Sequence, residues 1–243
     1  MTTITTITGD EGSLVMPFYL ICDISWSMRG EMATLCDGIR RIQEGIEEEP
    51  ILDDVARVGI ITFAASAEVP LPLGRLADRP LPDIRCAGPV LTSYGAAFRK
   101  LAEELAEDYS MFRLTGVEVY RPCAYFLTDG DPQDLDWEDT FQETLTPTAL
   151  ARRGIPGAPI FVPFGFRDAS VDTLRRLAYP RGRSKWYHAR NANIESALTG
   201  LMDIIMKSLL KSTNTGSGGE PDHVLPDSDG PDFSSGPADS SAA

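Results

Sequence analysis

The sequence predicts an α/β fold: a doubly wound, mostly parallel sheet with helices on both faces and one antiparallel edge strand. Short apolar stretches rich in β-branched and aromatic residues alternate with amphipathic stretches of helical periodicity. This alternation is typical of a parallel sheet, because parallel strands need a crossover helix between them. One short run, Glu68-Val69-Pro70-Leu71, contains proline, which cannot donate to a ladder and therefore places this run at a sheet edge.

Each predicted strand is a short apolar run. The first, 16–23, contains Pro-Phe-Tyr-Leu-Ile-Cys, and the second, 57–63, is rich in β-branched residues. Later strands are expected at 117–128, 158–164 and 185–189. Residues 72–91, with several prolines and glycines, are expected to form a loop.

Each predicted helix has apolar residues at spacings of three and four. The first, 31–48, ends before Pro50. The second covers 94–107, and the third covers 135–153 with an interruption near Pro147. Two more are expected at 171–178 and 194–210.

These elements predict one domain, 14–211, because domains typically hold about 100–200 residues. Residues 1–13 are expected to be a flexible N-terminus. Residues 212–243 are mostly Ser, Gly, Pro and Asp, without Lys or Arg. Such a composition buries too little apolar surface to offset the entropy of ordering, so a disordered acidic tail is expected.

Charge and hydropathy exclude two classes of partner. The net charge is −14, and an acidic surface repels phosphate backbones, so nucleic acid is not expected. No apolar run approaches the ~18 residues of a membrane span. The start, Met-Thr-Thr-Ile-Thr, lacks the basic region and apolar core of a signal peptide. We therefore expect a soluble cytoplasmic protein.

The four cysteines, Cys22, Cys36, Cys86 and Cys123, form no Cys-x-x-Cys pair, so neither zinc nor dithiol redox chemistry is indicated. Cys22 and Cys123 both lie on predicted strands. With the strand ends aligned they are about five residues, or roughly 16 Å, apart. A disulfide requires Cα atoms within about 7 Å, so free thiols are expected.

Small oxygen ligands lie at predicted strand ends. Asp23, Ser25 and Ser27 follow the first strand, Asp129 follows Ala-Tyr-Phe-Leu-Thr, and Thr92 precedes a helix. The carboxyl ends of parallel strands meet at one edge of a sheet, so distant residues can converge there. Two carboxylates and three hydroxyls suit Mg²⁺ or Mn²⁺ and suit zinc poorly.

These residues resemble the metal-ion-dependent adhesion site, or MIDAS, of von Willebrand factor type A (VWA) domains, which have a Rossmann-like fold. That site combines Asp-x-Ser-x-Ser with a distant Thr and a distant Asp. Here the first element is Asp23-Ile-Ser25-Trp-Ser27, and 92–98, Thr-Ser-Tyr-Gly-Ala-Ala-Phe, resembles the family's Thr-x-x-Gly-x-Ala-Leu. The Asp element is Leu-Thr-Asp129-Gly, and the resemblance covers about 16–210. Thr-Asp-Gly-Asp-Pro at 128–132, with Trp137 nearby, is similar to bacterial tellurium-resistance-associated members.

The resemblance implies that Ser25, Ser27 and Thr92 approach the ion directly or nearly so, while Asp23 and Asp129 act through water. Helix N-termini and neutral hydroxyls would leave the ion under-neutralised. A Glu or Asp from a protein partner would complete its shell. We therefore expect a metal-dependent interaction module. The resemblance to tellurium-resistance-associated members implies a role in a bacterial stress-response assembly.

Two other functions stay open. A Mg²⁺-dependent hydrolase or phosphatase also uses metal and carboxylates, but an Asp-x-Asp phosphatase needs Asp where Ser25 stands. His188 is expected to be structural, and His223 lies in the tail, so Ser25 and Ser27 have no evident base and no enzyme is expected. A metal-independent scaffold is the third possibility.

Trp26 stands where this family commonly has glycine. If Ser25 and Ser27 both turn toward an ion, the residue between them turns away, which predicts that Trp26 lies at a partner-facing rim. Alternatively, Trp26 is a structural prop, and the partner surface lies around Arg29, Tyr94 and Asp131.

Overall fold

A computed structural model describes residues 14–77, 79–189, 194–214, 225 and 233–238. The strands are β1 (Leu14–Asp23), β2 (Ala56–Phe63), β3 (Ala67–Gly74), β4 (Glu118–Val119), β5 (Cys123–Thr128), β6 (Ile160–Gly165), β7 (Lys185–Ala189) and β8 (Phe233–Pro237). The helices are α1 (Met32–Glu47), α2 (Pro50–Val55), α3 (Tyr94–Thr115), α4 (Trp137–Leu145), α5 (Pro147–Ala151), α6 (Val171–Leu177) and α7 (Ile194–Asn214), with a short 3₁₀ turn at Trp26–Gly30.

The strands form one mixed sheet in the order β3-β2-β1-β5-β6-β7-β8, and β4 also pairs with β1. Neighbouring strands from β2 to β7 run parallel, whereas β3 pairs antiparallel with β2. The α/β prediction and the proline-bearing edge strand are therefore confirmed. The order places β1 at the point where the chain turns from one half of the sheet to the other.

The sheet separates two apolar cores. Alternate residues of β1 face opposite sides, so Phe18 and Leu20 pack in one core and Tyr19 and Ile21 in the other. Helices α1 and α7 cover the first side, and α3 and α4 cover the second. Burial on both faces explains why the central strands are continuously apolar in sequence.

The tail prediction is wrong for the part that the structure describes. Strand β8, within 212–243, pairs antiparallel with β7 and forms a second edge, and α7 continues to Asn214. Leu225 is buried, and its carbonyl accepts a hydrogen bond from Lys185 Nζ at 3.1 Å. Ladder hydrogen bonds stabilise an edge strand without an apolar composition, which composition alone could not reveal. The other tail residues and residues 1–13 lie outside the described part of the chain.

Two boundaries differ from the prediction for local reasons, and one predicted break is confirmed. Helix α3 runs eight residues further, to Thr115, and ends where Gly116 adopts a left-handed φ of 67°. The strand expected at 117–128 is divided into β4 and β5 around Pro122. The helix expected at 135–153 is interrupted at Thr146, as predicted, because proline disfavours helical geometry in the residue before it.

The cysteines are free, as predicted. In the sheet register Cys123 lies opposite Phe18 and Cys22 lies opposite Leu127, so the two thiols are displaced along neighbouring strands. Burial raises the pKa of the Cys123 thiol to about 12 and that of Cys22 further, which keeps both protonated at neutral pH. Within the described ranges, no helix is long and apolar enough to cross a membrane.

Candidate metal centre

The two site carboxylates meet at the carboxyl edge of the sheet. Asp23 ends β1, and Asp129 directly follows β5, the parallel neighbour of β1. Strand β1 continues to β2 on one side, while β5 continues to β6 on the other. This reversal of direction opens the crevice in which α/β sheets bind ligands.

Four of the five predicted site residues form a continuous string of hydrogen bonds. Asp23 Oδ1 accepts from the Ser25 backbone N–H at 2.8 Å. The Ser25 and Ser27 hydroxyl oxygens are 3.1 Å apart, and Ser27 Oγ donates to Asp129 Oδ1 at 2.7 Å. Asp23, Ser25, Ser27 and Asp129 therefore lie together, as the sequence predicts.

Asp23 lies at the buried end of this string. Its Oδ2 accepts from the Thr128 hydroxyl at 2.9 Å, and Tyr94 donates to the Gly130 carbonyl at 2.6 Å. Burial raises the pKa of Asp23 to about 6, although hydrogen bonds from Ser25 and Thr128 oppose the rise. Thr128 was predicted only as a strand residue, and its role depends on a strand pairing that the local sequence does not specify.

Thr92, the fifth predicted ligand, is held by a different set of hydrogen bonds. Among the residues described, its hydroxyl makes no hydrogen bond to the other four. Instead, its backbone N–H donates to Gln133 Oε1 at 2.8 Å, and its carbonyl accepts from Gln133 N at 2.9 Å. These two bonds tie the loop carrying Thr92 to the loop that begins at Asp129.

Asp134 fixes the start of α3 beside Thr92. Its carboxylate accepts from Ser93 Oγ at 3.0 Å, from Tyr94 N at 3.0 Å and from Gly95 N at 2.7 Å. A Cβ on Gly95 would lie 2.9 Å from this carboxylate, which explains the glycine in the Thr-x-x-Gly pattern. Sequence reasoning missed Asp134, because it caps a helix about forty residues away along the chain.

Trp26 is exposed, in agreement with a position at the surface. Its side chain is 48% exposed, and the Arg29 guanidinium lies 4.9 Å from its ring centroid. Arg29 Nη1 also donates to the Trp26 carbonyl at 3.0 Å. Met28 is buried and anchors the turn, so the turn does not depend on burial of Trp26.

Arg167 is the principal site residue that the sequence did not reveal. It follows β6, and its Nη1 donates to the Ser27 carbonyl at 2.7 Å and to Asp129 Oδ2 at 3.1 Å. Its Nη2 forms an ion pair with Glu31. No local motif marks it, since the loop reaches the site only through the pairing of β6 with β5.

The oxygens of the string fit a small, hard cation. In the described ranges, no three His, Cys, Asp or Glu residues cluster as a metal site, so hydroxyls, carbonyls or water would have to complete any shell here. Adjacent oxygens in an octahedron at ~2.1 Å from Mg²⁺ are about 3.0 Å apart. The 2.7 and 3.1 Å separations along Ser25, Ser27 and Asp129 are hydrogen-bond distances, so the case for a hard cation rests on the oxygen donors themselves.

Comparison with known proteins identifies the fold. No family model matches the sequence, and no curated protein matches it. Among solved structures, the ArnB paralog VWA2 from Sulfolobus acidocaldarius superposes with a TM-score of 0.53 at 15% identity, over 81% of this chain and 45% of that one. The chain has the fold of a VWA domain.

Two further structures share this VWA fold. Proximal thread matrix protein 1 from the mussel byssus, with a zinc-occupied MIDAS motif, matches with a TM-score of 0.54 at 14% identity, over 83% of this chain and 49% of that one. BatB from Bacteroides thetaiotaomicron matches at 0.50 and 17% identity, over 82% of this chain and all of its own. The chain spans less than half the length of the first structures it matches.

Proposed function

We propose that this VWA-fold chain is a metal-dependent protein–protein interaction module that binds a partner carboxylate. The observation that carries the proposal is the continuous string Asp23–Ser25–Ser27–Asp129 at the sheet switch point. A bound Mg²⁺ or Mn²⁺ would supply an electrophilic centre for a Glu or Asp of the partner. The all-oxygen donor set favours these ions over zinc, although zinc occupies the MIDAS motif of the mussel protein.

Some groups of the chain would bind such an ion, and others would position those ligands. The hydroxyls of Ser25 and Ser27 and the carboxylate of Asp129 offer oxygens at adjacent positions. Asp23 orients the turn by accepting from the Ser25 N–H, and Gln133 holds the backbone of Thr92 within the same edge. Thr92 would contribute its hydroxyl after a side-chain or loop adjustment.

Exposed apolar side chains flank the site and favour a protein as the ligand. Trp26 lies between the two serines, Leu91 precedes Thr92, and Leu135 follows Asp134, and all three are exposed. Apolar and aromatic side chains around a polar centre are typical of binding hot spots. A small-molecule hydrolase would instead need an activated nucleophile. Ser27 donates to Asp129, and that carboxylate also accepts from Arg167. We propose no catalytic activity.

The partner class can be tested with Mn²⁺ and a simple carboxylate. Water-proton relaxation should show Mn²⁺ binding to the folded chain, and acetate should then lower the relaxation by displacing a metal-bound water. Acetamide, which has the same shape without the charge, should leave the relaxation unchanged. Absence of Mn²⁺ binding, or equal effects of acetate and acetamide, would contradict the proposal. The tellurium-related role and the cytoplasmic location rest on the sequence alone and stay predictions.

A further inference from the structure

Arg167 holds a positive charge beside the carboxylate of Asp129, to which the proposed metal would also bind. Its Nη1 lies 3.1 Å from Asp129 Oδ2, and the Asp129 side chain is only 1% exposed. The same nitrogen donates to the Ser27 carbonyl at 2.7 Å, so the guanidinium contacts two members of the string. Glu31 pairs with the other end of the guanidinium and is itself largely buried.

The backbone holds Arg167 in this position at a steric cost. With a φ of 55°, Arg167 is the single non-glycine residue in the left-handed region among those that the structure describes. The loop is fixed on both sides, since Phe166 N donates to the Thr128 carbonyl at 3.2 Å and Asp168 N donates to the Asp129 carbonyl at 3.1 Å. A strained residue that its surroundings fix at a binding site is a reason to look for function.

We propose that Arg167 is an intramolecular competitor for the metal at Asp129. A cation between Ser25, Ser27 and Asp129 would meet the guanidinium at short range. The two positive charges would repel, because Asp129 is buried even though the Arg167 side chain is 32% exposed. Arg167 and the metal therefore compete for one carboxylate, and Arg167 holds the metal affinity low. This inference rests on the proposed function, because it concerns the same site.

Mn²⁺ titration, with free Mn²⁺ measured by electron paramagnetic resonance, tests the competition directly. R167Q replaces the guanidinium with a shorter, uncharged hydrogen-bond donor, and R167G removes the side chain and relaxes the positive φ. Both should lower the Kd for Mn²⁺ about tenfold or more, whereas R167K, which keeps the charge, should stay close to the wild type. R40Q is the matched control, because Arg40 is an exposed arginine of α1 paired with Asp37; its Kd should not change.

The possible failures are distinguishable. An unchanged Kd in folded R167Q and R167G would show that the contact is only structural and would overturn the competition while leaving the proposed function intact. Weaker Mn²⁺ binding in both variants, with unchanged circular dichroism, would also overturn it, because Arg167 would then position Asp129 for the metal. If neither the wild type nor any variant binds Mn²⁺, the proposed function itself fails.

Discussion

Asp23 and Asp129 have different positions in the string, but both are needed for the proposed metal. Mg²⁺ should raise the melting temperature of the wild type, since a ligand at hundredfold excess over its Kd stabilises by about 2.7 kcal/mol. Asp129→Asn should abolish the shift by removing a charge from the site. Asp23→Asn should reduce the shift, because one amide oxygen cannot accept at both positions that Ser25 N and the Thr128 hydroxyl occupy. Thermal denaturation with Mg²⁺ and with chelator measures both effects.

The control for these variants is Asp172→Asn, because Asp172 is an exposed carboxylate on α6 away from the string. It should retain the full shift. A shift of wild-type size in both Asp129→Asn and Asp23→Asn would show that the metal binds elsewhere.

Trp26 tests whether the exposed rim contacts the partner. Trp26→Ala should leave the Mg²⁺-dependent melting shift intact, because the ring is exposed and Met28 anchors the turn. It should weaken Mg²⁺-dependent capture of partner proteins more than about tenfold, as truncation of an aromatic hot spot does. Leu114→Ala removes a more exposed apolar side chain from the far end of α3 and should change neither the melting shift nor the capture. Loss of the metal shift in Trp26→Ala would instead make Trp26 a structural prop.

At the scale of elements, the start of α3 depends on a carboxylate from another loop. Asp134→Ala removes the acceptor for Tyr94 N and Gly95 N, and loss of such a cap costs about 1–2 kcal/mol. Because Thr92 lies two residues before this helix, the variant should also weaken metal binding. Asp136→Ala is the matched control: Asp136 precedes α4 but makes no side-chain capping bond. Urea denaturation should separate the two variants, and equal losses would contradict the capping role.

The contact between α3 and β1 predicts a pH dependence. Tyr19 donates to Asp108 Oδ2 at 2.6 Å, and burial raises the pKa of Asp108 to about 7. A carboxyl whose pKa rises on folding binds its proton more tightly in the folded state. Its favourable contribution is therefore present below pH ~4, near the unfolded pKa, and is lost as the pH rises through about 7.

Asp108→Asn should remove that dependence, because the amide is neutral at every pH and still accepts from Tyr19. The variant should be more stable than the wild type by about 1–2 kcal/mol at pH 8, and the difference should shrink toward pH 4. Urea denaturation at pH 5, 6, 7 and 8 measures this. Greater stability of the wild type at pH 8 would show that the charged carboxylate is favourable where it lies.

For the whole molecule, a feature could be predicted from the sequence when it depends on residues that are close together along the chain. Strand and helix patterns are local, so the α/β sheet and the convergence of Asp23 with Asp129 followed from them. Arg167 could not be found in this way, because it meets Asp129 38 positions and Ser27 140 positions away along the chain. Asp134 and strand β8 were missed for the same reason, since each acts through partners that only the folded sheet brings near.

Strand β8 gives the last prediction, because it covers an edge that would otherwise be open. Deleting 233–243 removes the antiparallel partner of β7 and exposes its ladder groups and Trp186, over which Gly236 packs. We expect a loss of about 1–3 kcal/mol in unfolding free energy and concentration-dependent association, because an unpaired edge strand is a template for another chain. Deleting only 239–243 leaves β8 intact and should change neither the unfolding free energy nor the association state. Urea denaturation measures the stability, and sedimentation velocity measures the association. If the chain without 233–243 is as stable and as monomeric as the wild type, the edge tolerates exposure and β8 contributes nothing to the fold.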